Sequence, residues 1–294
     1  MIDLHVHSNC SDGTFTPEEL VEYALTHDIT AFALTDHDTT AGLLAAMTHA
    51  QTFSGKVCEK NPRGSSVEVI PGIEFSTEYE GKDIHIVGLF IDYKNPLMEE
   101  HLTDFVNSRD NRNEKMCRLL TEHGVAITYE MLKEAFPGAV ITRAHYAKFL
   151  LEKGYVKNLP EAFARYVGDQ APCFVPREKV TPMQAIRLIR EAGGISVLAH
   201  PTLYHLSTVR LENLIQVLKQ NGLHAIEGIY STYSVSETRE IHELARKYEL
   251  LISGGSDFHG ANKPGLSFGT GYGKLYIHEE ILERLKAALQ SVSL

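Results

Sequence analysis

"DLHVHSNCSDG", residues 3–13, sets the reading of the chain. Ile2, Leu4 and Val6 alternate with Asp3, His5 and His7, which is the period of a β-strand. On a strand His5 and His7 point to one face, about 7 Å apart along the chain. Two imidazoles so placed can share a cation, and Asp12 follows within a turn. A surface strand can carry two histidines by chance, so the pair matters only if other segments bring similar groups to it.

They do. "AFALTDHD" (31–38), "VEVIPGIE" (67–74), "GGISVLAHP" (193–201), "LHAIEGIY" (223–230) and "LLISGGSDFH" (250–259) are apolar runs that stop at or near His, Asp or Glu. Between them lie amphipathic helices with readable starts. Thr16-Pro17-Glu18-Glu19, Thr181-Pro182-Met183-Gln184 and Ser234-Val235-Ser236-Glu237 have capping-box spacing, the first two with proline at the first helical position. Strand and helix in alternation predict a parallel α/β architecture, and polar residues collected at strand C-termini predict a barrel or near-barrel. Residues 99–180 break the rhythm and read as mostly helical. The predicted organisation is therefore a barrel over 1–98 and 181–294 with a helical insertion over 99–180 that caps the substrate. Residues 51–66 form a smaller insertion, a helix end followed by a loop.

The bulk properties narrow the function. The chain has 294 residues, 43% hydrophobic and 22% charged, as in an ordinary globular protein. No apolar run approaches the roughly 18 residues a membrane span needs. The N-terminus enters a strand directly, without the basic and apolar regions of a secretory signal. Cys10, Cys58, Cys117 and Cys173 have no CxxC spacing and read as reduced thiols of a cytoplasmic protein. The net charge of −10 argues against a broad basic surface for long duplex nucleic acid, but not against a small anionic substrate.

Nine candidate metal ligands emerge from six segments: His5, His7, Asp12, His37, Glu74, His85, His200, Asp257 and His259. Any one of them reads equally well as a satisfied polar residue at a strand end. Nine converging on one barrel rim would bury many charges without compensation unless cations sit among them. Imidazoles and carboxylates without thiolates suit Mn²⁺ first, with Zn²⁺ or Fe²⁺ as alternatives. Nine ligands are enough for two or three divalent ions, a cluster that can activate water and clamp phosphate oxygens.

"DLHVHSNCSDGTFTPEEL", "TDHDT", "PGIEFS", "HIVGLF", "GGISVLAHP" and "GGSDFHG" together resemble the polymerase and histidinol phosphatase (PHP) family of metal-dependent phosphoesterases, in order and over the full chain. "ITRAHYAKFLLEKGYV" and "AFARYVGDQAPCFVPREKVTPMQAI" resemble its stand-alone bacterial branch, which includes a nucleoside 3′,5′-bisphosphate phosphatase and a 5′-to-3′ exonuclease of short RNA. The resemblance implies a distorted (β/α)7 barrel. It implies one metal on His5, His7, Glu74 and Asp257, a second on Glu74, His85 and His200, and a third on Asp12, His37 and His259. His200 and Asp257 are also the candidates for assisting proton transfer.

The resemblance supports phosphate contact by Arg143, and less firmly by His145 and Arg177. Arginine's planar fork suits phosphate oxygens, though these side chains could instead pair with surface carboxylates. Arg109 and Arg112 read as a solvated helix face. Tyr230 fits either a base-stacking role or a packed rim. The expected activity is hydrolysis of a phosphate ester on a small nucleotide or short RNA. A histidinol-phosphate-type phosphatase and a metal-dependent amidohydrolase are the alternatives; Glu74, "TDHD" and the insertion arginines favour phosphate over amide. A non-enzymatic PHP module would have lost ligands, and this chain keeps all nine.

Overall fold

The computed structural model describes residues 1–61, 63–175 and 180–292, with backbone only at 104–109 and 291–292. Seven strands form one sheet in chain order: β1 (Ile2–Val6), β2 (Ala31–Leu34), β3 (Glu68–Tyr79), β4 (Lys82–Leu89), β5 (Ile195–Leu198), β6 (Ala225–Tyr230) and β7 (Leu251–Gly255). β7 returns to β1: Asp257 N–H donates to His5 O at 2.9 Å and His7 N–H to Phe258 O at 3.0 Å, so the sheet curls into a near-barrel. α1 (Pro17–Thr26), α2 (Leu43–Phe53), α7 (Pro182–Glu191), α8 (Thr208–Gln220), α9 (Val235–Lys247) and α10 (Glu279–Val292) surround it. The three capping boxes are formed, at Thr16, Thr181 and Ser234.

The sheet is mixed, which departs from the parallel expectation. β4 runs antiparallel to both β3 and β5. The cause is local. Tyr79 pairs with Lys82 across a two-residue turn whose members, Glu80 and Gly81, have φ of 49° and 74°. That is the left-handed conformation a tight hairpin needs, whereas a parallel return needs a dozen residues or more. β3 also runs past Glu74 to Tyr79, so Glu74 lies inside a strand rather than at its end. Running β4 backwards is what brings His85, near its start, to the rim formed by the ends of the parallel strands.

The chain therefore leaves β4 at the opposite end of the barrel. α3 (Pro96–Glu122) starts there, with Asn95 donating to Glu191 O at 3.0 Å, and climbs to the rim. α4 (Tyr129–Ala135), α5 (Arg143–Glu152) and α6 (Leu159–Ala162) follow before α7 descends to β5. These helices enclose their own core, including Met116, Leu120, Leu132, Tyr146, Phe149 and Leu150, while Met98 at the start of α3 packs in the barrel core. The expected boundary at residue 99 thus falls inside one continuous helix. Val140 N–H donates to Cys10 O at 3.1 Å and seats this helical unit over the first loop of the barrel.

Barrel closure leaves no room at Gly255. A Cβ there would lie 2.1 Å from His5 Cβ. Overpacking of this kind costs about 1–3 kcal/mol, so Gly255→Ala should lower the unfolding midpoint by about 2–5 °C. An unchanged circular-dichroism melt would show that β1 and β7 are free to separate.

Candidate metal centre

The nine residues meet at the rim. Glu74, on β3, lies at their centre and is 1% exposed. Its Oε1 is 2.9 Å from His85 Nδ1 and 3.1 Å from His200 Nε2. Its Oε2 is 3.2 Å from His5 Nε2, 3.1 Å from His7 Nε2 and 3.3 Å from His37 Nδ1. Asp257 Oδ1, just beyond β7, lies 3.3 Å from His7 Nε2 and 3.7 Å from His5 Nε2. Asp12 Oδ1 lies 3.2 Å from His259 Nε2.

Among the described residues, three groups have the spacing a cation requires: His5, His7, Glu74 and Asp257; His7, Asp12, His37 and His259; and His37, Glu74 and His85. The first four residues are the set that the resemblance assigned to one metal. His37 is shared between the other two groups, and His200 reaches the cluster through Glu74 Oε1. The donor set fits cations. His5 Nε2, His7 Nε2 and Asp12 Oδ1 are buried with no aligned hydrogen-bond partner among the described residues, although opposite ligand atoms stand close by. Atoms about 3.4 Å apart without hydrogen bonds between them are what a common tetrahedral cation at about 2.1 Å would hold.

The electrostatics agree. Burial works to raise the Glu74 carboxyl, but His37, His5 and His85 overcome it and hold Glu74 well below the usual carboxylate range. Burial likewise opposes Asp257, which Lys263, His5 and His259 keep ionised. Burial disfavours charge on His7, yet the carboxylates of Asp257 and Glu74, at 3.3 and 3.1 Å, push it up to about 9. Burial dominates at His37, which falls to about 3. Bound cations would replace the protons that balance these carboxylates. Two of the residues are also in strained backbone: His200 has φ 26° and Asp257 φ 57°, left-handed positions that packing must enforce.

Several supporting residues escaped the sequence reading. Glu227, buried on β6, accepts from His5 Nδ1 at 3.1 Å and from His200 N–H at 2.7 Å, fixing both imidazole-bearing segments. Its signal was a charge inside the apolar run "LHAIEGIY". Asp36 accepts from Ser8 N–H, Ser8 Oγ and Ser11 Oγ and so shapes the loop after His7. Asp3 accepts from Ser256 and Gly269 N–H groups and ties β1 to the loop after β7. Lys263 Nζ and Tyr230 Oη both donate to Asp257 Oδ2, at 2.5 and 2.6 Å. Tyr230 is buried in that contact, so it is a rim-packing residue and not a base-stacking surface.

A cleft of about 240 Å³ leads from Asp12, His37 and His85 to Arg143 and Arg112 on the helical unit. Arg143 bridges Asp83, at 3.2 Å, and Asp169. Arg112, expected on a solvated face, is partly buried in the cleft wall, where its Nε donates to Val175 O at 3.1 Å. His145 is buried against Phe136, and its Nδ1 accepts from Thr142 N–H at 3.0 Å to cap α5; it does not line the cleft. Arg177 and the Arg109 side chain lie outside the described residues.

Residues 3–174 match a family model described as PHP domain. The chain belongs to the PHP domain family. The match stops short of His200, Asp257 and His259, which the barrel brings to the same rim. Among relatives of this PHP chain, the 5′-3′ exoribonuclease Rnm of Escherichia coli is 36% identical over 257 residues, covering 87% of this chain and 84% of its own. A 3′,5′-nucleoside bisphosphate phosphatase of Chromobacterium violaceum is 31% identical over 269 residues, covering 91% and 90%. The solved structure of an amidohydrolase from Chromobacterium violaceum, with bound sulfate and no metal, superposes with a TM-score of 0.83 at 29% identity over 97% of this chain and 96% of that one.

If Glu227 fixes the ring of His5, Glu227→Gln should weaken metal affinity by about 10- to 100-fold. Competition against a chromophoric chelator measures this, and an unchanged affinity would show that the ring is oriented by its own packing.

Proposed function

We propose that this protein hydrolyses a phosphate ester of a small nucleotide, either a nucleoside 3′,5′-bisphosphate or the end of a 5′-phosphorylated short oligonucleotide. The observation that carries the reading is the continuity of one cleft from the carboxylate–imidazole cluster to two guanidinium groups, Arg112 and Arg143. The residues that would hold two or three divalent ions, Mn²⁺ first and Zn²⁺ or Fe²⁺ otherwise, are the nine at the rim. Such ions would activate water and offset charge on the phosphoryl oxygens.

The chain's own groups do the rest. The ester under attack lies against the rim, and a second phosphate, too far off for the rim to neutralise, lies against Arg143 and Arg112. Lys263 and Tyr230 hold Asp257 by one oxygen and leave Oδ1 facing His5 and His7. His200 Nδ1 is buried with no hydrogen-bond partner among the described residues, as a nitrogen kept for a cation would be. The names of the two enzyme relatives support a nucleotide or RNA substrate, and sulfate bound to the structural neighbour supports a tetrahedral oxyanion. Two arginines in the cleft favour phosphate over amide cleavage. The absence of a helix long and apolar enough to cross a membrane among the described residues, with reduced cysteines, supports a cytoplasmic setting.

Phosphate release should stop when a chelator strips the protein and return when Mn²⁺ is added. Full turnover in a verified metal-free preparation would end the metal reading. Selectivity is the sharper test. A charge-assisted arginine–phosphate contact is worth about 1.5–3 kcal/mol, so Arg143→Ala should cost about 10- to 150-fold in kcat/KM on a 3′,5′-bisphosphate. p-Nitrophenyl phosphate, which has no second phosphate, should suffer far less. Equal losses on both would place Arg143 at the reaction centre or in the fold.

A further inference from the structure

The cleft has a third kind of wall. Beside Arg143 and Arg112 it is lined by Phe163 and Phe174, two phenyl rings with no part in the cation cluster. Both come from one strap of the helical unit, and both are anomalous there. Their neighbours Ala162, Tyr166, Val167 and Cys173 are in the hydrophobic core of that unit, whereas Phe163 and Phe174 are outside it. Phe163 is 36% exposed, whereas Ala162 beside it is fully buried.

The backbone holds the rings in place. Phe163 opens a π-turn, Phe163–Val167, closed by Gly168 N–H donating to Phe163 O at 2.8 Å. Turns of this kind cluster at functional sites. Only glycine fits the closing position, because a Cβ on residue 168 would lie 2.5 Å from Phe163 O. Further along, Cys173 N–H donates to Tyr166 O and Phe174 N–H to Ala171 O, both at 3.1 Å, so the strap returns Phe174 to the cleft. The Arg143 guanidinium stands 5.4 Å from the centre of the Phe174 ring. Arg143 and Phe174 therefore stand side by side on the cleft wall.

We infer that Phe163 and Phe174 form a stacking shelf for the nucleobase of the substrate, set beside the arginines that take its second phosphate. This deepens the function proposed above and rests on it. A small nucleotide presents charge at its phosphates and a flat apolar face at its base. The cleft offers cation sites, guanidinium groups and phenyl faces to match. Arg143 serves both ends, because its planar group can meet phosphate oxygens by its edge and an aromatic ring by its face.

The test compares adenosine 3′,5′-bisphosphate with an analogue that has hydrogen in place of the base, both with the Mn²⁺-loaded enzyme. The wild type should prefer the nucleotide by about tenfold or more in kcat/KM, carried mainly by KM, as stacking energies of single bases imply. In the double variant Phe163→Ala/Phe174→Ala that preference should shrink to within about twofold of unity. The double leucine variant, which keeps apolar volume without a ring, guards against misfolding and should lose most of the preference too. A preference that survives in both variants overturns the shelf, as does a wild type indifferent to the base. Wild-type inactivity on both compounds, with phosphate released from some other ester, overturns the proposed substrate and the shelf with it.

Discussion

Glu74 is the constraint on which the structure depends. A carboxylate 1% exposed, surrounded by five imidazoles, cannot be left in a protein interior without cations or protons to balance it. The surrounding fold is arranged to deliver those imidazoles. β1 supplies His5 and leads to His7, the loop after β2 supplies His37, β4 supplies His85 and the loop after β5 supplies His200. Left-handed backbone at His200 and Asp257 is accepted so that both side chains reach the same point.

A ring of further buried carboxylates holds those ligands in position. Asp3, Asp36 and Glu227 have no place in the cation groups, yet each accepts hydrogen bonds from the segments that carry them. Asp3 shows the cost. Burial raises its carboxyl to about 6 against hydrogen bonds from three backbone N–H groups, those of His5, Ser256 and Gly269, so its value lies in joining β1 to β7 rather than in charge. The close approach at Gly255 serves the same closure from the backbone side.

The helical unit answers a different need. The barrel rim carries the carboxylate–imidazole cluster, and the helical unit adds the other wall of the cleft. Because β4 descends, the chain must climb again along α3, and this return path carries Arg112, Arg143, Phe163 and Phe174 to the mouth. The antiparallel strand that completes the cluster through His85 is thus also the reason the cleft has a second wall.

Much of this was legible in the chain. Apolar runs with polar ends marked most of the strands, capping boxes marked three of the helices that surround them, and the nine rim residues were named in or beside those runs. Local periodicity suffices there because it reflects which face of an element meets the core. The direction of β4 was also written locally, in Glu80-Gly81, but a parallel reading hid it. Tertiary structure alone decided the rest. Arg112 looked solvated, and the helical unit folds its face against the cleft; Tyr230 looked available, and Asp257 claims its hydroxyl. Glu227 looked like one charge in a strand until His5 and His200, far away in sequence, arrived on either side of it. Which partner a polar group meets depends on contacts between distant segments, and sequence spacing carries no record of those.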